Sequence, residues 1–303
     1  MKTIAIEEFG SADNLKLVTL DKPTIKDDQV LIETYAFSIN PVEWKRREGH
    51  MGGKFPMVLG GDVAGVIVEV GADVTDLKVG DRVFANATRT YAEYVRARAE
   101  VTSIIPDTIS FEEAASIPLA GQTAWEALVD KGQIKEGDDV LIHAGAGGVG
   151  SLAIQIAKHF GAYVSTTASK DNEEFVTSLG ADHFIDYKNE AFEEKVKNYD
   201  IVLDTIGGET HEKSYSVLKK GGRLVSLVQE PDEEKLKELE IEGVLFSMQP
   251  TGDRLKELTK LLAENKLVPV VTKEYPFTDD GVKEAHIQSQ SGHTRGKLVV
   301  KVK

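Results

Sequence analysis

The chain of 303 residues contains no cysteine. That absence excludes disulfides, a thiol nucleophile and any thiolate-held zinc, and it suits a reducing, cytoplasmic setting. Apolar runs are short: none approaches the ~18 residues of a membrane-spanning helix, so no membrane partner is expected. The amino terminus, MKTIAIEEFG, lacks the basic-then-apolar order of a secretory signal. Basic residues are in deficit, 36 Lys and Arg against 50 Asp and Glu, for a formal charge of −14. Such a chain repels polyphosphates at long range, and its basic pieces are as short as Lys45-Arg46-Arg47, so nucleic acid is not an expected partner. Among the 7 histidines none forms an i,i+4 pair, the helical metal-binding spacing. No internal repeat or low-complexity linker interrupts the chain.

What is present is an ordinary globular composition, 41% hydrophobic and 28% charged, in a chain long enough for two separate cores. The first ~118 residues form a series of short strand-like segments ("TIAIEEFG", "DQVLIETYAFSIN", "VAGVIVEVG", "GDRVFAN") punctuated by Gly, Pro and Asp, the pattern of an antiparallel, partly closed barrel. From about Asp138 the pattern changes. The apolar run "DDVLIHAG" reads as a buried parallel strand, and Gly145-Ala146-Gly147-Gly148-Val149-Gly150 follows it. Apolar residues then recur at helical spacing through Phe160, and a second strand, "YVSTTA", comes next. Strand, glycine turn, helix and strand together are the context of a dinucleotide cradle. Gly145 would permit the turn, Gly147 the approach of a pyrophosphate and Gly150 the packing of helix on strand. Alternation continues through "HFIDY", "YDIVLDTIG", "RLVSLV" and "GVLFSM", predicting six strands and a doubly wound α/β sheet. The charged stretch 231–243 reads as a solvated face or loop. The tail, "LVPVVTKEYPF" and "GKLVVKVK" around a helix, returns to the first domain.

An NAD-binding cradle places Asp or Glu at the end of its second strand, on the ribose 2′-hydroxyl. Here Ala168, Ser169 and Lys170 stand there, and Ser and Lys can donate to a 2′-phosphate, which favours NADPH. Two alternatives stay open: Lys170 as a solvated helix-start residue, and Asp171 as the acid in a shifted register. His143, beside the turn, reads as a packed, hydrogen-bonded strand residue. Tyr215 and Lys219 in "YSVLK" match the Y-x-x-x-K pair of short-chain dehydrogenases, yet their helix runs into the next strand of the alternation, which argues against a catalytic role.

Several longer stretches carry a family resemblance: "FPMVLGGDVAGVIVEVGADVTDLKVGDRVFA" (55–85), "AASIPLAGQTAWEAL" (114–128), "SINPVEWKRREG" (38–49), the glycine motif and the terminal "SGHTRGKLVV". With them the chain resembles the medium-chain dehydrogenase/reductase superfamily, in its zinc-free quinone oxidoreductase and alkenal/enone reductase branch. The resemblance implies a GroES-like catalytic domain from residues 1–118 and 267–303 and a Rossmann domain over 119–266. Zinc members carry Cys where this chain has Ile39-Asn40 and His-Glu where it has Gly61-Asp62, so no metal is expected.

By the same resemblance Thr123 contacts the nicotinamide, and Tyr187 joins Ser169 and Lys170 at the 2′-phosphate. Thr205 in the loop 204–208, together with Leu227 and Val228, lines the cofactor channel. Arg295 and Lys297 reach its phosphates or ribose, unless they are exposed tail charges. Asn40, Lys45 and Tyr91 fall on the substrate side. Lys45 can equally belong to a solvated basic face with Arg46 and Arg47, and Tyr91 can simply pack on the barrel. Asn40 and Lys45, five positions apart, lie about 140° apart on a helix and converge only if Asn40 precedes it. The expected activity is NADPH-dependent, zinc-independent hydride transfer to quinones or α,β-unsaturated carbonyls by a homodimer joined along "GVLFSM". The alternative is an NADPH-binding sensor or structural protein with little turnover.

Overall fold

The computed structural model describes residues 1–303. In chain order its elements are β1 (Lys2–Ile6), β2 (Lys16–Thr19), β3 (Gln29–Ile39), α1 (Pro41–Arg47), β4 (Met57–Val58), β5 (Asp62–Val70), β6 (Arg82–Asn86), β7 (Tyr94–Arg98), β8 (Thr102–Ile104), α2 (Phe111–Ala115) and α3 (Pro118–Trp125). They continue with β9 (Asp139–Ile142), α4 (Gly148–His159), β10 (Tyr163–Ala168), α5 (Glu173–Ser178), β11 (His183–Asp186), α6 (Phe192–Lys195), β12 (Tyr199–Asp204), α7 (Gly208–Ser214), β13 (Leu218–Ser226), α8 (Glu233–Leu239) and β14 (Glu242–Leu245). The last are α9 (Gly252–Ala263), β15 (Val271–Pro276), α10 (Asp279–Gln290) and β16 (Lys297–Lys301).

The chain divides into two compact units, one of residues 1–122, 250–265 and 269–303 and the other of 123–249 and 266–268. Helix α9 thus groups with the first unit, where the sequence pattern alone put it with the second. Local packing explains the difference. Gly121 leaves room for Leu258, whose Cδ1 would lie 3.0 Å from a Cβ at that glycine. Thr251 N donates to Gln122 Oε1 at 2.9 Å, and Ser103 and Thr259 hydroxyls pair at 2.9 Å.

In the first unit a seven-stranded sheet runs β15-β16-β3-β5-β6-β8, with β7 also paired to β3, beside a three-stranded sheet β2-β1-β4. Pairing is antiparallel except between β15 and β16. Leu298 lies opposite Ile39 and Val300 opposite Phe37, so the two chain ends build one sheet. Val30 and Ile32 pack with Val63, Ile67, Val83 and Val95 on one side of it. Phe37, Ile39 and Tyr91 pack with Ile4, Ile6 and Tyr275 in a second core.

The second unit is one sheet of six strands in the order β11-β10-β9-β12-β13-β14, all parallel. That is the dinucleotide-binding order 3-2-1-4-5-6, whose switch point falls between β9 and β12. Two local expectations change. Part of the charged stretch read as a solvated face or loop is helix α8, because the Asp232 carboxylate accepts from Glu234 N and Lys235 N and so caps its start. The helix expected through Lys219 ends earlier: after a 3-10 turn at Tyr215–Val217 the chain is already in β13, so Tyr215 and Lys219 do not share a helix face.

Candidate functional site

The glycine turn sits at the switch point. Gly147 caps α4 without any side-chain hydrogen bond, which leaves the first helical N–H groups, Gly148 and Val149, for an anion. Space divides the three motif glycines. A Cβ at Gly145 would lie 1.9 Å from Thr166 Oγ1, and one at Gly150 2.3 Å from Ala144 O. At Gly147 the nearest atom is Ala144 O at 3.3 Å. Gly145 and Gly150 are therefore required by packing, whereas Gly147 and Val149 lie on the half-buried rim and Ala146 is buried. The left-handed residue of the turn is Ala144, at φ +55°, not one of the glycines. His143 is fully buried between Thr167 Oγ1 at 3.2 Å and Ser214 Oγ at 3.0 Å. Burial drives its pKa down to about 4, so it is neutral at physiological pH.

Parallel pairing of Ala168 with Asp186 brings Ser169, Lys170 and Tyr187 together at neighbouring strand ends. Tyr187 N donates to Ala168 O at 3.3 Å, while its ring is 52% exposed. Ser169 Oγ accepts from Asn172 Nδ2 at 3.0 Å. The Lys170 ammonium, largely exposed, pairs with Glu173 and lies 5.7 Å above the Phe184 ring. Asp171 is exposed in the short turn that follows.

At the end of β12 a second feature appears that motif reading did not find. Asp204, fully buried, accepts from Ile206 N and Gly207 N at 2.9 Å each, from His211 Nδ1 at 2.7 Å and from Ser226 Oγ at 3.0 Å. These bonds hold its carboxyl below the usual range against the opposing effect of burial. The carboxylate thereby fixes the loop 204–208 against the start of the segment carrying Leu227 and Val228, whose Leu227 N donates to Asp204 O at 3.0 Å. Thr205 Oγ1 donates to His143 O at 3.2 Å, so this loop touches the strand that leads into the glycine turn. Ile206 and Val228 stay exposed beside it. Tyr215 serves the same assembly: its hydroxyl meets His211 Nε2 at 3.0 Å and accepts from Asp232 N at 2.7 Å. Lys219 pairs with Asp200. Thr123 is buried near the end of α3.

In the first unit the start of α1 anchors a buried polar cluster. Asn40 precedes the helix with extended backbone, and Pro41 occupies its first turn. The Asn40 side chain is 1% exposed and fully engaged: Nδ2 donates to Asp62 Oδ2 at 2.8 Å and to Glu43 Oε1 at 3.3 Å, and Oδ1 accepts from the Lys297 ammonium. Asp62 also accepts from Ser38 Oγ at 2.6 Å and Leu119 N at 2.8 Å. Lys297, expected toward a cofactor phosphate, points inward instead, with Ile39 O at 3.3 Å and Asp62 Oδ2 at 3.6 Å. Tyr91 is fully buried, stacked on Phe37 with ring centroids 4.5 Å apart, and its hydroxyl lies between Glu43 Oε2 and His286 Nε2. Lys45 is on the outer face of α1, exposed, with its ammonium 5.6 Å above the Trp44 ring. The structure thus joins Asn40 to Lys297 and, through Glu43, to Tyr91, and leaves Lys45 apart on the exposed face of the helix. Arg295 is exposed, and its carbonyl accepts from Thr272 Oγ1.

Comparison with known proteins settles the family. Residues 26–131 match the alcohol dehydrogenase GroES-like domain, and residues 179–300 match a domain described as zinc-binding dehydrogenase. The NADPH-dependent alkenal/one oxidoreductase of Arabidopsis thaliana, a chloroplastic protein, is 40% identical over 99% of this chain and 79% of its own. The chain belongs to the medium-chain dehydrogenase/reductase superfamily. Among solved structures, the quinone oxidoreductase from Coxiella burnetii superposes with a TM-score of 0.91 at 37% identity, covering 100% of this chain and 99% of that one. The quinone oxidoreductase from Escherichia coli, complexed with NADPH, gives a TM-score of 0.91 at 28% identity over 100% of both chains.

No three His, Asp or Glu side chains are placed to hold a metal ion. Between Asn40 and Asp62 the space is already taken by the Lys297 amine, whose pKa burial lowers against the pull of Asp62 and Glu43, so these residues do not fit zinc. The glycine turn, by contrast, fits a dinucleotide, being closed by packing at Gly145 and Gly150 and open at Gly147. No helix is long and apolar enough to cross a membrane.

Proposed function

We propose that this superfamily member is an NADPH-dependent reductase of quinones or α,β-unsaturated carbonyls. The observation that carries the reading is the open glycine turn at the switch point of the sheet, with Ser169, Lys170 and Tyr187 beside it and no acid at the end of β10. Full-length similarity to an NADPH-dependent alkenal/one oxidoreductase supports it. Bound NADPH supplies the hydride. The α4 N–H groups take the pyrophosphate, and Lys170, Ser169 and Tyr187 take the 2′-phosphate. Thr123, Thr205, Leu227, Val228 and Arg295 belong to the cofactor's surroundings in this reading, with the loop 204–208 held for it by Asp204. Lys297 is assigned to holding Asn40 and Asp62.

A conjugated acceptor suits this residue set. A hydride arriving at the β-carbon of an enone moves negative charge onto the carbonyl oxygen, where a single donor such as Lys45 can stabilise it. Reduction of a simple ketone calls for a strong acid at the carbonyl oxygen, either a metal ion or a positioned proton donor, and the residues here do not fit zinc. The reading includes a homodimer joined along β14 and a cytoplasmic site of action. A screen of NADPH oxidation across quinones, 2-alkenals and 2-alkenones tests it. Turnover on at least one of these classes, with NADPH preferred over NADH, is the expected result. NADPH binding without turnover on any of them would instead favour a sensor or structural role.

A further inference from the structure

The groups hydrogen-bonded to Glu43 each point a hydrogen at it, and the direction of those hydrogens is fixed from the far end of a chain. Arg47 can only donate, so His286 Nδ1, 3.3 Å from its guanidinium, is an acceptor. The ring proton of His286 is then on Nε2, facing the Tyr91 oxygen at 2.9 Å. The Tyr91 hydroxyl proton is left with one direction, Glu43 Oε2 at 2.5 Å. The same oxygen accepts from Asn40 N at 2.8 Å, and Oε1 faces Asn40 Nδ2 at 3.3 Å. Three hydrogens therefore converge on one carboxylate, two of them from Asn40. A proton added to that carboxyl finds donors on these sides and displaces at least one bond. The longest is the one to the Asn40 amide.

We propose that Glu43 is a positioning residue whose ionised carboxylate tightens Asn40 and the first turn of α1, and whose protonation loosens that hold, leaving the Asn40 amide on Asp62 and Lys297 alone. The link to turnover rests on the reductase reading, because Lys45 lies on the same helix. Every charged or titratable group facing Glu43 belongs to this cluster: Asp62 on β5, Lys297 on β16, Arg47 one turn along α1, Tyr91 ahead of β7 and His286 on α10. Burial, with a smaller contribution from Asp62, raises the Glu43 carboxyl to about 7 against the pull of Tyr91, Asn40 N and Lys297. His286 stays neutral, its pKa lowered to about 3 by burial and by Arg47. The hold therefore loosens as pH falls through neutrality.

The test uses the full chain without cofactor, ¹³C-labelled at Glu side chains and ¹⁵N-labelled at Asn amides, over pH 5–9. The Glu43 carboxyl carbon, assigned by its loss in Glu43→Gln, should titrate near neutrality, and the Asn40 side-chain amide should move with the same midpoint. In Glu43→Gln the Asn40 amide should be flat. Tyr91→Phe keeps the ring and removes one donor, so it should shift the Glu43 midpoint upward even if the Gln variant folds poorly. With NADPH and 1,4-naphthoquinone, wild-type kcat should fall several-fold below the midpoint while the NADPH KM holds, and Glu43→Gln should stay low and pH-independent. A Glu43 carboxyl that titrates in the ordinary carboxylate range, or an Asn40 amide indifferent to it, would overturn the proposal. Absence of quinone turnover with the coupled titration intact would count against the reductase reading alone.

Discussion

Lys170 and Lys45, the side chains proposed to set cofactor choice and acceptor activation, are both exposed. Lys170 is paired with Glu173, an exposed ion pair that a 2′-phosphate can outcompete at low cost. Lys170→Ala should weaken NADPH binding by roughly 1–3 kcal/mol and leave NADH nearly unchanged, as read by calorimetric or fluorescence titration. Equal losses for both cofactors would show that Lys170 does not read the phosphate. Lys45→Met should lower turnover by the ~2.7–4 kcal/mol of a lost oxyanion donor, with NADPH affinity intact. Wild-type turnover on every acceptor would return Lys45 to a solvated basic face. Spacing alone located the glycine turn, because a strand, a turn and a helix are contiguous in sequence, but not that Ala144 rather than Gly145 takes its left-handed conformation. It could not show that Lys297 turns inward, because its partners Ile39 and Asn40 lie 258 and 257 residues away. Nor could it show that the Asn40 amide is already committed, since Asp62 and Glu43 meet it only in the folded chain.

At the level of elements, alternation of short apolar runs and glycine turns predicted all six strands of the parallel sheet, because strands buried on both faces read as near-continuous apolar runs, with small hydrogen-bonded Ser and Thr tolerated in β10. The helix boundaries were less legible. The start of α8 depends on one capping carboxylate inside a uniformly charged stretch, and the end of α7 on where β13 takes over. Strand β14 ends the six-stranded sheet, with Leu245 exposed and Val244 and Phe246 half-buried. An apolar edge of this kind invites pairing with a second copy. Sedimentation at micromolar concentration should give a dimer, and Leu245→Glu should shift it toward monomer. A wild-type monomer under those conditions would remove β14 as a dimer edge.

Over the whole molecule, stability against acid follows from buried groups of opposite sense. His143 has its folded pKa lowered from 6.5 to about 4, so the stability it contributes is present above 6.5 and is lost as pH falls through 4. His286, lowered to about 3, acts in the same direction. Glu43, raised to about 7, acts oppositely: its contribution is full below its ordinary value of 4.5 and is lost as pH rises through 7. Between pH 6.5 and 4 the His143 contribution alone amounts to about 3 kcal/mol, and His143→Gln should flatten that part of the urea-unfolding profile of its unit. An unchanged acid slope would show that His143 is not neutral in the fold. The two-unit architecture was legible from the change of pattern near residue 118, whereas the return of α9 to the first unit depended on its packing against Gly121.

Hydride delivery to a conjugated carbon can be followed with C4-dideuterated NADPH and a 2-alkenone. The expected product is a saturated ketone with deuterium on the β-carbon and the carbonyl intact. Deuterium on the carbonyl carbon of an allylic alcohol would instead mean that the hydride goes to the carbonyl itself.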